Sequence, residues 1–143
     1  MALKMLVGLD HSPRSPSVLR TATAVARKLG ARMVLFRAVG IPAHVPEEAY
    51  HLTPDELTQW VQKRAEKELE EMGEGIDVVD SVIVKLGTPW QGICAVAREL
   101  AVGMVVIGSH GYEGIDRVLG TTAAKVVDHA PCAVLVVRGE LSV

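Results

Sequence analysis

Met104 to Thr122, MVVIGSHGYEGIDRVLGTT, constrains this chain more than any other stretch. It opens on four bulky apolar residues, Met104, Val105, Val106 and Ile107, two of them valine. A run of that kind suits a strand buried on both faces. Gly108, Ser109, His110 and Gly111 follow, then Gly114, then Gly120 with Thr121 and Thr122. After Thr122 the pattern turns helical, with Ala123, Val126, Val127 and Ala130 recurring at spacings of three and four. The stretch reads as strand, glycine-rich loop and helix start. Glycines let backbone amides approach an anion, because no side chain intervenes and positive φ is open to them. A helix N-terminus adds unpaired N–H groups and the positive end of a dipole. Together these make a phosphate cradle. The same glycines also suit a turn with no ligand, and the local spacing does not separate the two. Two familiar phosphate motifs are absent: neither G-x-x-x-x-G-K-[ST] nor G-x-G-x-x-G occurs.

The rest of the chain alternates strand and helix patterns around this stretch. Lys4 to Asp10, KMLVGLD, reads as the first strand and ends on a carboxylate, followed by His11 and Ser12. In an open parallel sheet, ligands sit beyond the carboxyl ends of the strands, so Asp10 is placed to meet one. It equally suits a turn residue before the next helix. That helix starts at Ser15 with Pro16 in its first turn. Val18, Leu19, Ala22, Val25, Ala26 and Leu29 form its apolar face, and Gly30 ends it. Ala31 to Val39 is the second strand. Gly40 to His51 is irregular; it holds His44, Glu47, Glu48 and His51, but no helix fixes their geometry and a metal site is not expected. Thr53-Pro54-Asp55-Glu56 is a capping box opening the second helix. Its buried stripe is Leu57, Trp60, Val61, Ala65, Leu69 and Met72, with Trp60 read as core. Ile76 to Leu86 is the third strand, mixed in polarity as an edge strand is. Thr88-Pro89-Trp90-Gln91 repeats the capping logic for a third helix that runs through Leu100. The fourth helix ends at Pro131, and Cys132 to Arg138 is the fifth strand. This alternation predicts one α/β domain over residues 1–143, with a parallel sheet and right-handed crossovers.

Composition narrows the function classes. The 143 residues fit one domain, and 49% of them are apolar, enough for a core. The formal net charge is −2, so no basic field is present to hold a nucleic-acid backbone. No apolar run approaches the ~20 residues of a membrane span. The N-terminal MALKMLVGLD passes directly into strand pattern, without the apolar region and cleavage site of a signal peptide. The expected location is the cytoplasm. Cys94 and Cys132 have no CxxC or zinc spacing and read as small apolar residues in a reducing compartment.

GSHG, then GTT before a helix, then the ending HAPCAVLVVRG resembles the universal stress protein family. Nucleotide-binding members carry G-x-x-G, nine residues, then G-[ST]. Gly108-Ser109-His110-Gly111 matches the first part and Gly120-Thr121 the second. Residues 112 to 119 make a spacer of eight, one fewer than that pattern, which changes where the second pair of amides meets the phosphates. The resemblance runs from Lys4 to Arg138. It implies an open twisted five-stranded parallel sheet of order 3-2-1-4-5 with helices on both faces, the adenine nucleotide alpha hydrolase-like architecture. That order sets the first and fourth strands side by side, with Asp10 and Gly108 across one crevice. It further implies ATP, or ADP or AMP, as ligand. Gly8, Leu9, Ala38 and Ile107 would line the base, and Asp10 would meet ribose or adenine. Amides at Gly108, Gly111, Gly120 and Thr121, with the hydroxyls of Thr121 and Thr122, would hold the phosphates. His110 would position ribose or phosphate, and Mg²⁺ would be bound through the phosphates with few protein ligands. A homodimer through the Cys132–Arg138 edge strand is implied as well, and the apolar, nearly uncharged sequence of that strand fits it.

An enzyme needs an activated nucleophile or a poised acid–base pair. His11, Ser12, Ser109, His110 and Asp10 are near the crevice, but Ser109 and His110 are sequence neighbours whose side chains diverge, and no G-x-S-x-G elbow exists. No catalytic residue is assigned. Three readings remain: a nucleotide-binding stress or regulatory switch, a dimeric interaction module of the same fold without nucleotide, and a slow ATPase.

Overall fold

A computed structural model describes residues 3–40, 44–109 and 119–139. The element order is β1 (Lys4–Gly8), α1 (Ser15–Leu29), β2 (Arg32–Val39), a 3₁₀ turn (Glu47–Ala49), α2 (Pro54–Gly73), β3 (Val79–Leu86), α3 (Pro89–Glu99), β4 (Met104–Gly108), α4 (Thr121–His129) and β5 (Ala133–Val137). All four strand pairings are parallel, and the sheet order is β3-β2-β1-β4-β5. The resemblance had implied that order. Several boundaries differ from those expected. β1 stops at Gly8, because Leu9 and Asp10 already belong to the turn into α1, although the Leu9 amide still bonds the Phe36 carbonyl at 2.8 Å. β3 starts at Val79 rather than Ile76, and α4 starts at Thr121.

Side chains alternate across each strand, so the sheet buries two separate layers. Met5 and Val7, Met33 and Leu35, and Val106 face α1 and α2, where Val18, Leu19, Ala22, Ala26, Ala65 and Leu69 cover them. Leu6, Val34, Phe36, Val105 and Ile107 face the other way, against Ile93, Val96 and Ala97 of α3 and Ala123 and Val126 of α4. Near-continuous apolar runs in the central strands follow from this two-sided burial.

The helix ends show which local signals were used. Gly30 takes φ 65°, and the Ala31 amide reaches back to the Ala26 carbonyl at 2.8 Å, closing α1. At α2 the capping box forms: Thr53 N–H donates to Glu56 Oε1 at 3.1 Å, and Glu56 N–H donates to Thr53 Oγ1 at 3.2 Å. At α3 it does not. Thr88 is the N-cap there, at ψ 127° rather than the 164° of Thr53, and makes no side-chain capping bond. The expected burial of Trp60 also needs correction. Trp60 is half-buried in a groove, with the Arg64 guanidinium 5.1 Å above its ring. Both cysteines are reduced, and burial pushes their thiols up from the usual range, as suits apolar packing.

Candidate functional site

The strands end together along one rim, and a cleft of about 250 Å³ opens there between β1 and β4. Nine of the residues singled out from the sequence line it: Gly8, Leu9, Asp10, Ala38, Ile107, Gly108, Gly120, Thr121 and Thr122. They come from three strands, the β1–α1 turn and the start of α4. His110 and Gly111 lie outside the described residues.

The apolar wall follows from strand alternation. Gly8, Ala38 and Ile107 fall on the same side of the sheet as Phe36, and Ile93 of α3 packs beside them. Gly8 is the thin point of that wall. A Cβ built there would lie 3.2 Å from both Ile107 Cγ2 and Ile93 Cδ1.

Asp10 serves the turn and still faces the cleft. Its Oδ1 accepts from Ser12 N–H at 2.8 Å and from Ser15 Oγ at 2.9 Å, and Ser15 Oγ also donates to the Asp10 carbonyl. None of these bonds uses Oδ2. The turn reading and the ligand reading of Asp10 are therefore compatible, one per carboxylate oxygen.

Opposite Asp10 stands the start of α4. Its N-cap is Gly120, which has no side chain to accept from the first-turn amides. Thr121, Thr122 and Ala123 are the first helical residues, and an α-helix gives such amides no internal acceptor. One expected donor is corrected. The Gly120 N–H is committed to the Ser109 carbonyl at 2.8 Å, so Gly120 contributes room rather than an amide. Ser109 in turn donates its own N–H to the Val137 carbonyl at 2.9 Å. Ser109 and Gly120 are thus pinned together at the rim.

Of the catalyst candidates, Asp10, Ser12 and Ser109 share the cleft, and His110 lies outside the described residues. Ser12 and Ser109 line the cleft and are buried. His11 lies in a neighbouring groove, its Nδ1 3.6 Å from Glu68 Oε2. Lys125 is exposed, with its ammonium 5.7 Å from the Trp90 ring. Sequence reasoning missed Phe36, Ile93, Arg14 and Arg37, which line the cleft too. Arg37 alone carried a readable signal: a charge inside the apolar run MVLFRAV has to find partners if that strand is buried.

The sequence model of the Universal stress protein family matches residues 1–138. The chain belongs to the universal stress protein family. Universal stress protein YxiE of Bacillus subtilis is 31% identical over 150 residues, covering 94% of this chain and 98% of that one. Among solved structures, a universal stress protein in complex with cAMP superposes with a TM-score of 0.63 at 20% identity, over 97% of this chain and 98% of that one. The universal stress protein of Archaeoglobus fulgidus in complex with dAMP gives a TM-score of 0.61 at 20% identity, over 94% and 96%. At such identities the solved structures share the fold of this family member, and their ligands are properties of those proteins.

Proposed function

We propose that this universal stress protein binds an adenine nucleotide, ATP or its products ADP and AMP, in the cleft between β1 and β4, and that occupancy acts as a regulatory switch in a stress response. The observation that carries the reading is the cleft itself. One apolar wall, one carboxylate whose Oδ2 takes part in none of its hydrogen bonds among the described residues, and one helix N-terminus converge on it from separate segments of the chain. Gly8, Leu9, Ala38 and Ile107 receive the base. Asp10 accepts from ribose or adenine through Oδ2. The amides of Thr121, Thr122 and Ala123, with the two threonine hydroxyls, hold phosphate oxygens at the positive end of α4. His110, Gly108 and Gly111 complete the phosphate side. The donor set suits an anion and offers a cation little. Mg²⁺ therefore enters on the phosphates and keeps most of its water. The cAMP and dAMP complexes of two relatives support the adenine class.

The protein also forms a homodimer in this reading. β5 is the outer strand next to β4, its residues Ala133 to Val137 are all apolar, and four of the five are at least partly exposed. A bare edge of that kind pairs with a second copy across a two-fold axis. The cytoplasm, where adenine nucleotides abound, is its place. Among the described residues no helix is long and apolar enough to cross a membrane.

Mass spectrometry of the small molecules released on denaturing freshly purified protein tests the reading. Stoichiometric adenine nucleotide is expected. Empty protein that also takes up none from added ATP, ADP or AMP contradicts it and leaves the dimeric module. Release of ADP from protein loaded with ATP, at a steady rate, would assign slow hydrolysis.

A further inference from the structure

Arg37 is a charged side chain that the fold buries, at 3% exposure. It stands on β2 beside Ala38, yet strand alternation sends it toward α2 rather than the apolar wall. Its guanidinium is spent on the end of β1. Nε donates to the Leu9 carbonyl at 3.2 Å and Nη2 to the Asp10 carbonyl at 3.3 Å. Successive carbonyls of an extended strand point to opposite edges. One guanidinium can hold both only where the chain has turned, and here it holds the turn that presents Asp10. The third donor group, Nη1, reaches Glu68 Oε2 of α2 at 3.1 Å. Glu68 is itself flanked by His11 Nδ1 at 3.6 Å and Arg64 Nε at 3.5 Å.

We infer that Arg37 is a positioning residue for nucleotide recognition: it clamps the Leu9 and Asp10 carbonyls so that the Asp10 carboxylate is aimed at the cleft, and Glu68 holds the clamp in place from α2. This rests on the nucleotide reading of the cleft. A lysine could not replace the clamp, because one ammonium has no planar fork to span two carbonyls and a carboxylate. Without the guanidinium the carbonyl of buried Leu9 would lose this donor and that of Asp10 would keep only Ser15 Oγ, which would let the turn relax toward water.

The test combines nucleotide titration with amide hydrogen exchange on wild type, Arg37→Met, Arg37→Lys, Asp10→Ala and the double variant Asp10→Ala/Arg37→Met. Arg37→Met is expected to weaken ATP binding by about tenfold or more, the scale of one charge-assisted bond, and Arg37→Lys to restore little of it. Because Arg37 acts through Asp10, the double variant should bind within about twofold of Asp10→Ala alone. Multiplying losses would overturn the inference, as would lost thermal stability with unchanged affinity. Exchange at the Ser12 amide, which bonds Asp10 Oδ1, separates this from failure of the nucleotide reading. If no nucleotide binds wild type, faster Ser12 exchange in Arg37→Met relative to Val106 upholds the clamp, and unchanged exchange overturns it. Should Arg37→Met not fold, the half-exposed Glu68→Gln carries the same comparison, with affinity and Ser12 exchange moving in the same directions. No change in either would overturn the inference.

Discussion

Gly8 leaves the apolar wall of the cleft open because its missing side chain makes space that Ile107 and Ile93 nearly fill. Valine there would push into both. We expect Gly8→Val to reduce nucleotide affinity at least about tenfold, while overpacking costs about 1–3 kcal/mol of stability. Calorimetric titration together with urea denaturation separates the two effects; full affinity in Gly8→Val would show that the base does not lie against this wall. At this scale the sequence was readable where a residue type has one use and opaque where it has two. Gly8, Ala38 and Ile107 could be placed at the rim because strand ends and small residues mark it. Gly120 could be placed there too, but not the direction of its amide, which depends on a carbonyl eleven positions earlier, that of Ser109. Arg37 announced itself as a charge in an apolar strand, but its acceptors are a turn and a distant helix that no local spacing encodes.

Among the elements, α2 illustrates how local and tertiary information divide. Its first turn was legible, and Thr53 and Glu56 form the reciprocal pair that S/T-x-x-E predicts. The same logic failed at α3, where Gln91 stays exposed and Thr88 adopts a different ψ. The Glu56 carboxyl is held below its ordinary 4.5, first by the Thr53 backbone N–H and then by the Thr53 hydroxyl. A carboxylate lowered on folding stabilises the fold above its unfolded value, and that contribution is lost as pH falls through the folded one. Glu56→Gln should therefore be less stable than wild type at pH 7, and the two should converge in denaturation experiments as pH falls past the ordinary glutamate range and through the lowered folded value, once Glu56 is protonated. A gap of constant size would refute the assignment. The buried stripe of α2 was legible only in part. Ala65 and Leu69 are buried, whereas Leu57, Trp60 and Val61 are only half covered; Trp60 and Val61 line the groove that also holds His11 and Val39. Leu69 is fully enclosed, and Leu69→Ala should cost about 2–5 kcal/mol in urea denaturation. A cost below about 1 kcal/mol would mean that α2 is not anchored there.

For the whole molecule, alternation of strand and helix patterns was enough to expect a parallel sheet, but strand order is set by non-local pairing and came only from family resemblance. The order matters because it leaves two different edges. β3 carries Asp80 and Lys85, and Arg32 of β2 is ion-paired to Asp80. β5 carries no charge at all. We expect the dimer to form at β5, and Val134→Lys or Val136→Asp to shift it toward monomer in sedimentation at tens of micromolar; wild type that sediments as a monomer there would refute the interface. The order also brings β1 against β4, so that the Asp10 turn and the start of α4 share one cleft. Gly120 has φ −64° and ψ 163°, a conformation open to any residue, so Gly120→Val should fold and differ from wild type only by a branched side chain at the cleft. The decisive measurement is calorimetric titration of wild type and Gly120→Val with ATP, ADP and AMP. We predict saturable binding of at least one of them to wild type and none to the variant; equal affinity in both proteins, or no heat from any nucleotide with wild type, would contradict the account.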